Sequence, residues 1–216
     1  MYISTILRST IRCLVAAQCL LAAFTMASNH TNSTVYFGYG SNLWKEQMIS
    51  RCPTSAYLGI ARLNGFRWII NDRGYANVVE VKNETTLYKD VVWGLVYRLE
   101  PADEENLDIN EGVPEAYTKE NLTVDYWRVG DQDHPNIKDD PEATEMLVYI
   151  DRERLKPDEP KKEYIYRMNM GINDAVKEGM PHDYVEDVLR SFIPDLQDEK
   201  VAEFARQQAL FFEDER

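Results

Sequence analysis

Residues 91–112 read VVWGLVYRLEPADEENLDINEG, and this stretch sets the fold class. Val91 to Leu99 is an almost unbroken apolar run rich in β-branched and aromatic residues, the pattern of a strand covered on both faces. Pro101 then stands where a first helical turn tolerates proline. Asp103, Glu104 and Glu105 follow where the positive end of a helix dipole favours acids, and Gly112 is placed to close the helix. A covered strand running straight into a short acidic helix calls for a sheet with helices packed against it.

Upstream, Val35-Tyr36-Phe37-Gly38-Tyr39 reads as a strand that enters a tight turn at Gly40-Ser41-Asn42. Leu43, Gln47 and Met48 mark one stripe of a short helix closed by Cys52-Pro53. Tyr57 to Ile70 is extended and interrupted at Asn64-Gly65, Asn71 to Gly74 is a turn, and Tyr75 to Val81 is another strand. Downstream, Tyr117 to Val129 alternates as a half-buried strand, residues 130–142 form a polar loop, and Glu145 to Ile150 is the last strand. After Pro157 and Pro160 the period becomes helical: Ile165, Met168, Ile172 and Val176; then Val185, Val188, Leu189 and Phe192; then Val201, Phe204, Ala205 and Leu210. The expected fold is one α+β domain over residues 34–196. It has a mixed, strongly curved sheet covered by helices, followed by a C-terminal helix and acidic tail over 197–216. The apolar side chains Phe204, Leu210, Phe211 and Phe212 could either close the core or pair two subunits as a homodimer.

The first 28 residues differ in kind. Arg8 and Arg12 precede an apolar run from Cys13 to Met26, and the first acid in the chain is Glu46. The run is short for a bilayer span, so no stable membrane span is expected. Three readings compete: a secretory signal cleaved near Ala27, a mitochondrial presequence, or a translation start at Met26. Sequons at Asn29, Asn32, Asn83 and Asn121 favour secretion. The lack of a disulfide framework in a chain with cysteines only at 13, 19 and 52 favours the cytoplasm. The chain is 44% hydrophobic and 28% charged, enough for a sizeable core, and its net charge of −13 excludes nucleic acid as a partner. His30, His134 and His182 are scattered and no C-x-x-C occurs, so neither metal nor cofactor is expected.

Two places invite chemistry. At Tyr39-Gly40-Ser41-Asn42 a glycine lets the backbone approach a ligand, and the amides opening a helix attract an oxyanion or carboxylate. The plainer alternative is an ordinary turn with Ser41 or Asn42 as helix cap. Ser41 as a nucleophile lacks both a nucleophile elbow and a base. The second place is Glu111, in the last helical turn before Gly112, where the dipole disfavours a negative charge and Trp93, Val113 and Pro114 offer apolar neighbours. Both effects would raise its pKa toward that of a general base. Asp103, Glu104, Glu105, Asp108 and Glu115 read as a solvated face, Cys52 as a buried apolar residue, and Tyr149 as a core or rim tyrosine whose hydroxyl could reach a ligand.

Taken together, Tyr36-Phe37-Gly38-Tyr39-Gly40-Ser41-Asn42-Leu43, Val92-Trp93-Gly94-Leu95-Val96-Tyr97, Leu107-Asp108-Ile109-Asn110-Glu111-Gly112-Val113 with Tyr117, and Tyr164 to Pro181 resemble the γ-glutamylcyclotransferase family. The resemblance implies a barrel-like sheet and a small-molecule γ-glutamyl substrate cyclised to 5-oxoproline. It also implies Glu111 as the catalytic acid/base, a substrate cradle of Tyr36, Phe37, Gly38, Tyr39, Gly40 and Ser41, and Tyr149 against the substrate. Gly38, Asn110 and Trp44 depart from the commoner family residues. The chain further resembles fungal members tied to gliotoxin-type sulfur metabolites. Glutathione-specific cyclisation and a non-catalytic ligand-binding role are the alternatives.

Overall fold

A computed structural model describes residues 33–81, 90–130, 134–196 and 199–210. The N-terminal segment 1–28, the sequons at Asn29, Asn32 and Asn83, and Phe211 and Phe212 lie outside the described residues. Five strands close into a barrel in the order β1 (Thr34–Gly38), β5 (Val91–Leu99), β2 (Ala56–Asn64), β6 (Thr118–Arg128) and β7 (Glu142–Ile150). All neighbours are antiparallel except β7 and β1, which close the barrel in parallel with Tyr36 opposite Leu147. This is the mixed, strongly curved sheet expected of the sequence. The register of β2 on β5 shifts between Tyr57 and Gly59, a bulge of the kind that bends and coils a strand.

Val91–Leu99 lies between β1 and β2, with Val92 through Tyr97 all buried, which accounts for its continuous apolar character. A separate hairpin of β3 (Phe66–Ile70) and β4 (Ala76–Glu80) is tied to the barrel by polar groups. The Trp68 indole donates to the Tyr39 carbonyl at 3.0 Å, the Asn77 amide donates to the Asp151 carbonyl at 2.8 Å, and Asn71 donates to the Asp151 carboxylate at 3.0 Å. These bonds satisfy groups that would otherwise be buried at a cost.

The helices are α1 (Lys45–Arg51), α2 (Pro101–Glu111), α3 (Lys162–Lys177), α4 (His182–Asp187) and α5 (Glu199–Leu210). Along α3 the expected stripe packs inward, with Met168 and Ile172 fully covered. Two expectations change. The run through Val185 to Phe192 is not one helix: α4 breaks at Val188 and continues as a 3-10 turn, Leu189–Ser191. On α5 the covered stripe is Ala202, Ala205 and Ala209, while Phe204 and Leu210 are roughly half exposed. Small residues let α5 approach Trp44 and Tyr166 closely, and that rotates its large side chains outward. Among the described residues no helix is long and apolar enough to cross a membrane.

The acidic helix also departs from a wholly solvated face. Asp103 is 2% exposed, and its carboxylate accepts from the Thr54 amide at 3.3 Å and the Thr54 hydroxyl at 2.6 Å. Asp108 accepts from the Tyr149 hydroxyl at 2.6 Å and from Lys119 at 3.0 Å, and Glu104 bonds Thr34 and Lys119. Glu105 and Glu115 are exposed, as expected. Asn121 lies exposed on β6.

Candidate active site

β1 is paired on both sides within the barrel, and its C-terminal end delivers Tyr39, Gly40, Ser41 and Asn42 to the mouth of a cavity of about 500 Å³, counted with its open entrance. Tyr36, Tyr39, Gly40, Ser41, Tyr149 and Glu111 all line it. Phe37 and Gly38 do not. Alternation along the strand turns Phe37 into the fully covered core, and the Tyr36 ring packs over Gly38.

Glu111 is the last residue of α2. Gly112 follows in the left-handed region at φ 63°, where its amide closes onto the carbonyls of Asp108 and Ile109, and the chain turns away so that the carboxyl faces the cavity. Burial pushes its pKa up from 4.5, opposed by Arg51, by a hydrogen bond from Asn42 and by Arg167 and Arg73. Desolvation is therefore the main cause, and the surroundings differ from those expected: Trp93 stacks on Trp127 at 5.1 Å, away from the cavity lining.

One Asn42 amide nitrogen donates both to Glu111 Oε1 and to the Tyr36 hydroxyl, each at 2.9 Å. Its oxygen accepts from Gln47 Nε2 at 2.7 Å and from Arg51 at 3.3 Å. Two donors on the oxygen fix which way the amide faces. Asn42 is thus no helix cap: the cap position of the 3-10 turn Ser41–Leu43 is Gly40, without a side-chain bond. The Ser41 hydroxyl accepts from Gln47 at 3.0 Å and from Arg167 at 3.1 Å, which occupies its lone pairs and removes it as a nucleophile.

The Tyr164 hydroxyl of α3 accepts from the amides of Ser41 at 3.1 Å and Ala76 at 3.2 Å. A Cβ on Gly40 would stand 2.8 Å from that hydroxyl. The glycine of this turn therefore admits a tyrosine from α3. Desolvation raises the Tyr164 phenol to about 12, against Arg167 and the two amides, so it stays protonated at neutral pH. An oxygen that accepts twice has one proton left to give.

Sequence reasoning missed Arg51, Tyr75, Ala76, Arg167 and the roles of Asn42 and Tyr164 in this cavity. The two arginines lie in helices whose apolar stripe masks them, and only a count of buried polar groups finds them. Cys52 is fully buried, with its thiol pushed up to about 12 by desolvation, as suits an apolar filler. His134 is an exposed loop residue and His182 opens α4.

The chain resembles known proteins in sequence and in fold. Human and bovine γ-glutamylcyclotransferases are 34% identical over 85 residues and 32% identical over 92 residues, covering 38% and 41% of this chain and 45% and 49% of theirs. The chain thus spans about half the length of the curated relatives it matches. The crystal structure of an uncharacterised human protein shares the fold with a TM-score of 0.59 at 23% identity, over 82% of this chain and 98% of that one. A structure described as a γ-glutamyl cyclotransferase does so with a TM-score of 0.59 at 23% identity, over 81% of this chain and 99% of that one. The family model described as "Gamma-glutamyl cyclotransferase, AIG2-like" matches residues 36–167, from the first cavity residue on β1 to the arginine that holds Ser41, and the chain belongs to that family.

Proposed function

We propose that the protein is a γ-glutamylcyclotransferase, with Glu111 as its acid/base. The observation that carries this reading is a carboxyl buried in the cavity wall, raised by desolvation and oriented by Asn42. A γ-glutamyl compound brings its own nucleophile, the α-amine, within reach of the γ-carbonyl carbon. Ring closure is intramolecular, and holding that geometry supplies much of the barrier reduction.

Glu111 takes a proton from the α-ammonium, and the amine forms a new bond to the γ-carbon through a tetrahedral oxyanion. Glu111 hands its proton to the leaving nitrogen and takes the surplus proton from the ring nitrogen. The bond to the leaving amine breaks as the oxyanion re-forms the carbonyl. The departing amine carries that second proton away as its ammonium ion, which frees the carboxylate again. The products are 5-oxoproline and a free amine. The Ser41 and Tyr164 hydroxyls each accept two hydrogen bonds already, so each offers its remaining proton to the substrate carboxylate or the oxyanion. Arg51, whose hydrogen bonds all go to neutral oxygens, makes the cavity favourable to an anion, while Arg167 is held in a buried ion pair with Glu163 at 2.7 Å. Tyr36, Tyr39, Gly40 and Tyr149 shape its walls.

A 5-oxoproline release assay tests this, with a γ-glutamyl amino acid, glutathione and a glutathione S-conjugate as substrates and Glu111→Gln beside the wild type. Release that the substitution abolishes in a folded protein is the expected result. Release that survives it overturns the assignment. Preference for the S-conjugate would support the finer reading, a role in making gliotoxin-type sulfur metabolites, which rests on sequence resemblance. Preference for glutathione would make the enzyme glutathione-specific. Binding without release would make the chain a ligand-binding protein. The cavity-bearing domain, residues 34–196, and the C-terminal helix are proposed to work as one unit.

A further inference from the structure

Arg51 is 6% exposed, and all three of its hydrogen bonds go to neutral oxygens. One goes to the Asn42 side chain; the others go to the carbonyls of Ala209 at 2.7 Å and Gln208 at 3.1 Å, at the C-terminal end of α5. Carbonyls near the C-terminal end of a helix carry the negative end of its dipole, so they are a suitable seat for a buried cation. The segment lies beyond residues 36–167, which the family model matches. Resting on the reading of Glu111 as acid/base, we propose that α5 is part of the catalytic apparatus, acting through Arg51 as a positioning residue: the helix end fixes the guanidinium, which fixes the Asn42 amide and sets a cation beside Glu111.

The chain of contacts is continuous. Asn42 Oδ1 accepts from Arg51 and Gln47, which turns Nδ2 toward Glu111 and Tyr36. Without the carbonyls of α5 the guanidinium would lose two of its three partners, and a buried cation without partners is driven toward solvent. Docking of α5 and the place of the cation are therefore linked, and linkage is reciprocal.

Several other groups face Glu111. Arg167 of α3 and Arg73 of the turn between β3 and β4 are cations that share the work of Arg51. Tyr36, Tyr39, Tyr117, Tyr149 and Tyr164 and the Cys52 thiol are all raised by burial and stay neutral through the working range. Desolvation lowers Arg51 to about 10, so it remains a cation at neutral pH. Arg51 is first among the influences that hold the Glu111 carboxyl down, and its loss must move that carboxyl upward.

The test uses the full chain with Arg51→Met, Arg51→Lys and Ala205→Leu. The last overpacks the α5 seam at a fully covered alanine away from the cavity. Three quantities are read: the Glu111 midpoint by carboxyl-carbon NMR, the pH profile of 5-oxoproline release, and amide exchange along α5. In Arg51→Met the midpoint and the acid limb of the profile should rise together by about one unit, a tenfold loss of ionised Glu111 at a fixed pH well below the midpoint. Exchange in α5 should quicken at least tenfold (about 1.4 kcal/mol or more of opening free energy) while β1 and β5 keep their protection. Arg51→Lys should restore most of the midpoint, because the charge returns, but not the protection of α5, because one ammonium does not span three acceptors.

Ala205→Leu should raise the midpoint with the cavity untouched. It also decides the matter if Arg51→Met does not fold. An unmoved midpoint in the folded Arg51→Met protein, or a loosened α5 in Ala205→Leu with the midpoint in place, overturns the proposal. A wild type that releases no 5-oxoproline overturns the function instead, and the titration still judges the link from α5 to Glu111.

Discussion

Two carboxylates stand at opposite ends of α2, and neither is freely solvated, yet their surroundings differ. Asp103 lies in the first turn, where the helix dipole favours it, and receives both the amide and the hydroxyl of Thr54. Glu111 ends the helix, receives one side-chain donor from Asn42, and otherwise faces a cavity. The first is a joint between α2 and the loop after α1. The second is left short of protein partners, which keeps its proton affinity high and its oxygens available to something not part of the chain. One helix thus carries a satisfied anion that holds structure and an under-satisfied one that can do chemistry.

The sharpest way to break this contrast is Glu111→Gln. Release of 5-oxoproline should fall by about a thousandfold or more, within the range a positioned acid/base supplies. The same variant should be more stable than the wild type at neutral pH. Because burial raises the folded-state pKa above 4.5, the folded protein keeps a proton that the unfolded chain has already lost as pH climbs past 4.5. Stability from this group is therefore full below pH 4.5 and declines until the raised value is passed. Glutamine carries no such dependence. Denaturant unfolding of both proteins at pH 4 and pH 7 should show the variant gaining relative to the wild type at the higher pH. An unchanged difference would mean that the carboxyl is not held up by burial.

Asn42→Asp attacks the orientation of the pair. It puts a second carboxylate where a donor stood 2.9 Å from Glu111. Like charges at that distance cannot both ionise readily. The pair should retain a proton at neutral pH, and release should drop by about ten- to a hundredfold, recovering as pH rises. A pH–rate profile with its acid limb in place would show that Asn42 does not govern Glu111.

Much of the architecture was legible because it follows from local rules. Val91–Leu99 announced a strand covered on both faces, and Pro101 with Gly112 bracketed α2. Glu111 was legible from its place before a helix-closing glycine. What the pattern hid was which acids of α2 are buried, because Asp103 and Glu105 look alike until Thr54 is brought against one of them from a distant part of the chain. Arg51 was hidden for the same reason, because its partners are carbonyls and a side chain supplied by tertiary packing. Arg167 has a local partner in Glu163 one turn back, but its contact with Ser41 also comes only from packing. Phe204 misled because size suggested burial where close helix approach required alanine.

On the structural side of the contrast, Asp103→Ala should cost about 2 kcal/mol of stability, because it strips the Thr54 amide and hydroxyl of their acceptor in a partly buried place. Activity per folded molecule should be nearly unchanged. A large loss of turnover at unchanged stability would mean that the two ends of α2 are not separable.

The smallest effect tests the middle of the helix. Tyr149 lines the cavity, but its hydroxyl points to Asp108, which Lys119 also holds. Burial raises the phenol, and the bond to Asp108 raises it further, so it donates rather than ionises. Tyr149→Phe removes that donor and keeps the ring that packs edge-on against Tyr36 at 5.6 Å. Asp108 retains Lys119 and is about a third exposed, so water can replace the lost partner. A loss of about 1 kcal/mol in stability and a change in turnover of only a few-fold are expected. If turnover instead falls a hundredfold with the substrate KM unchanged, the hydroxyl serves the transition state, and Tyr149 belongs with Glu111 rather than with the joint that Asp103 makes.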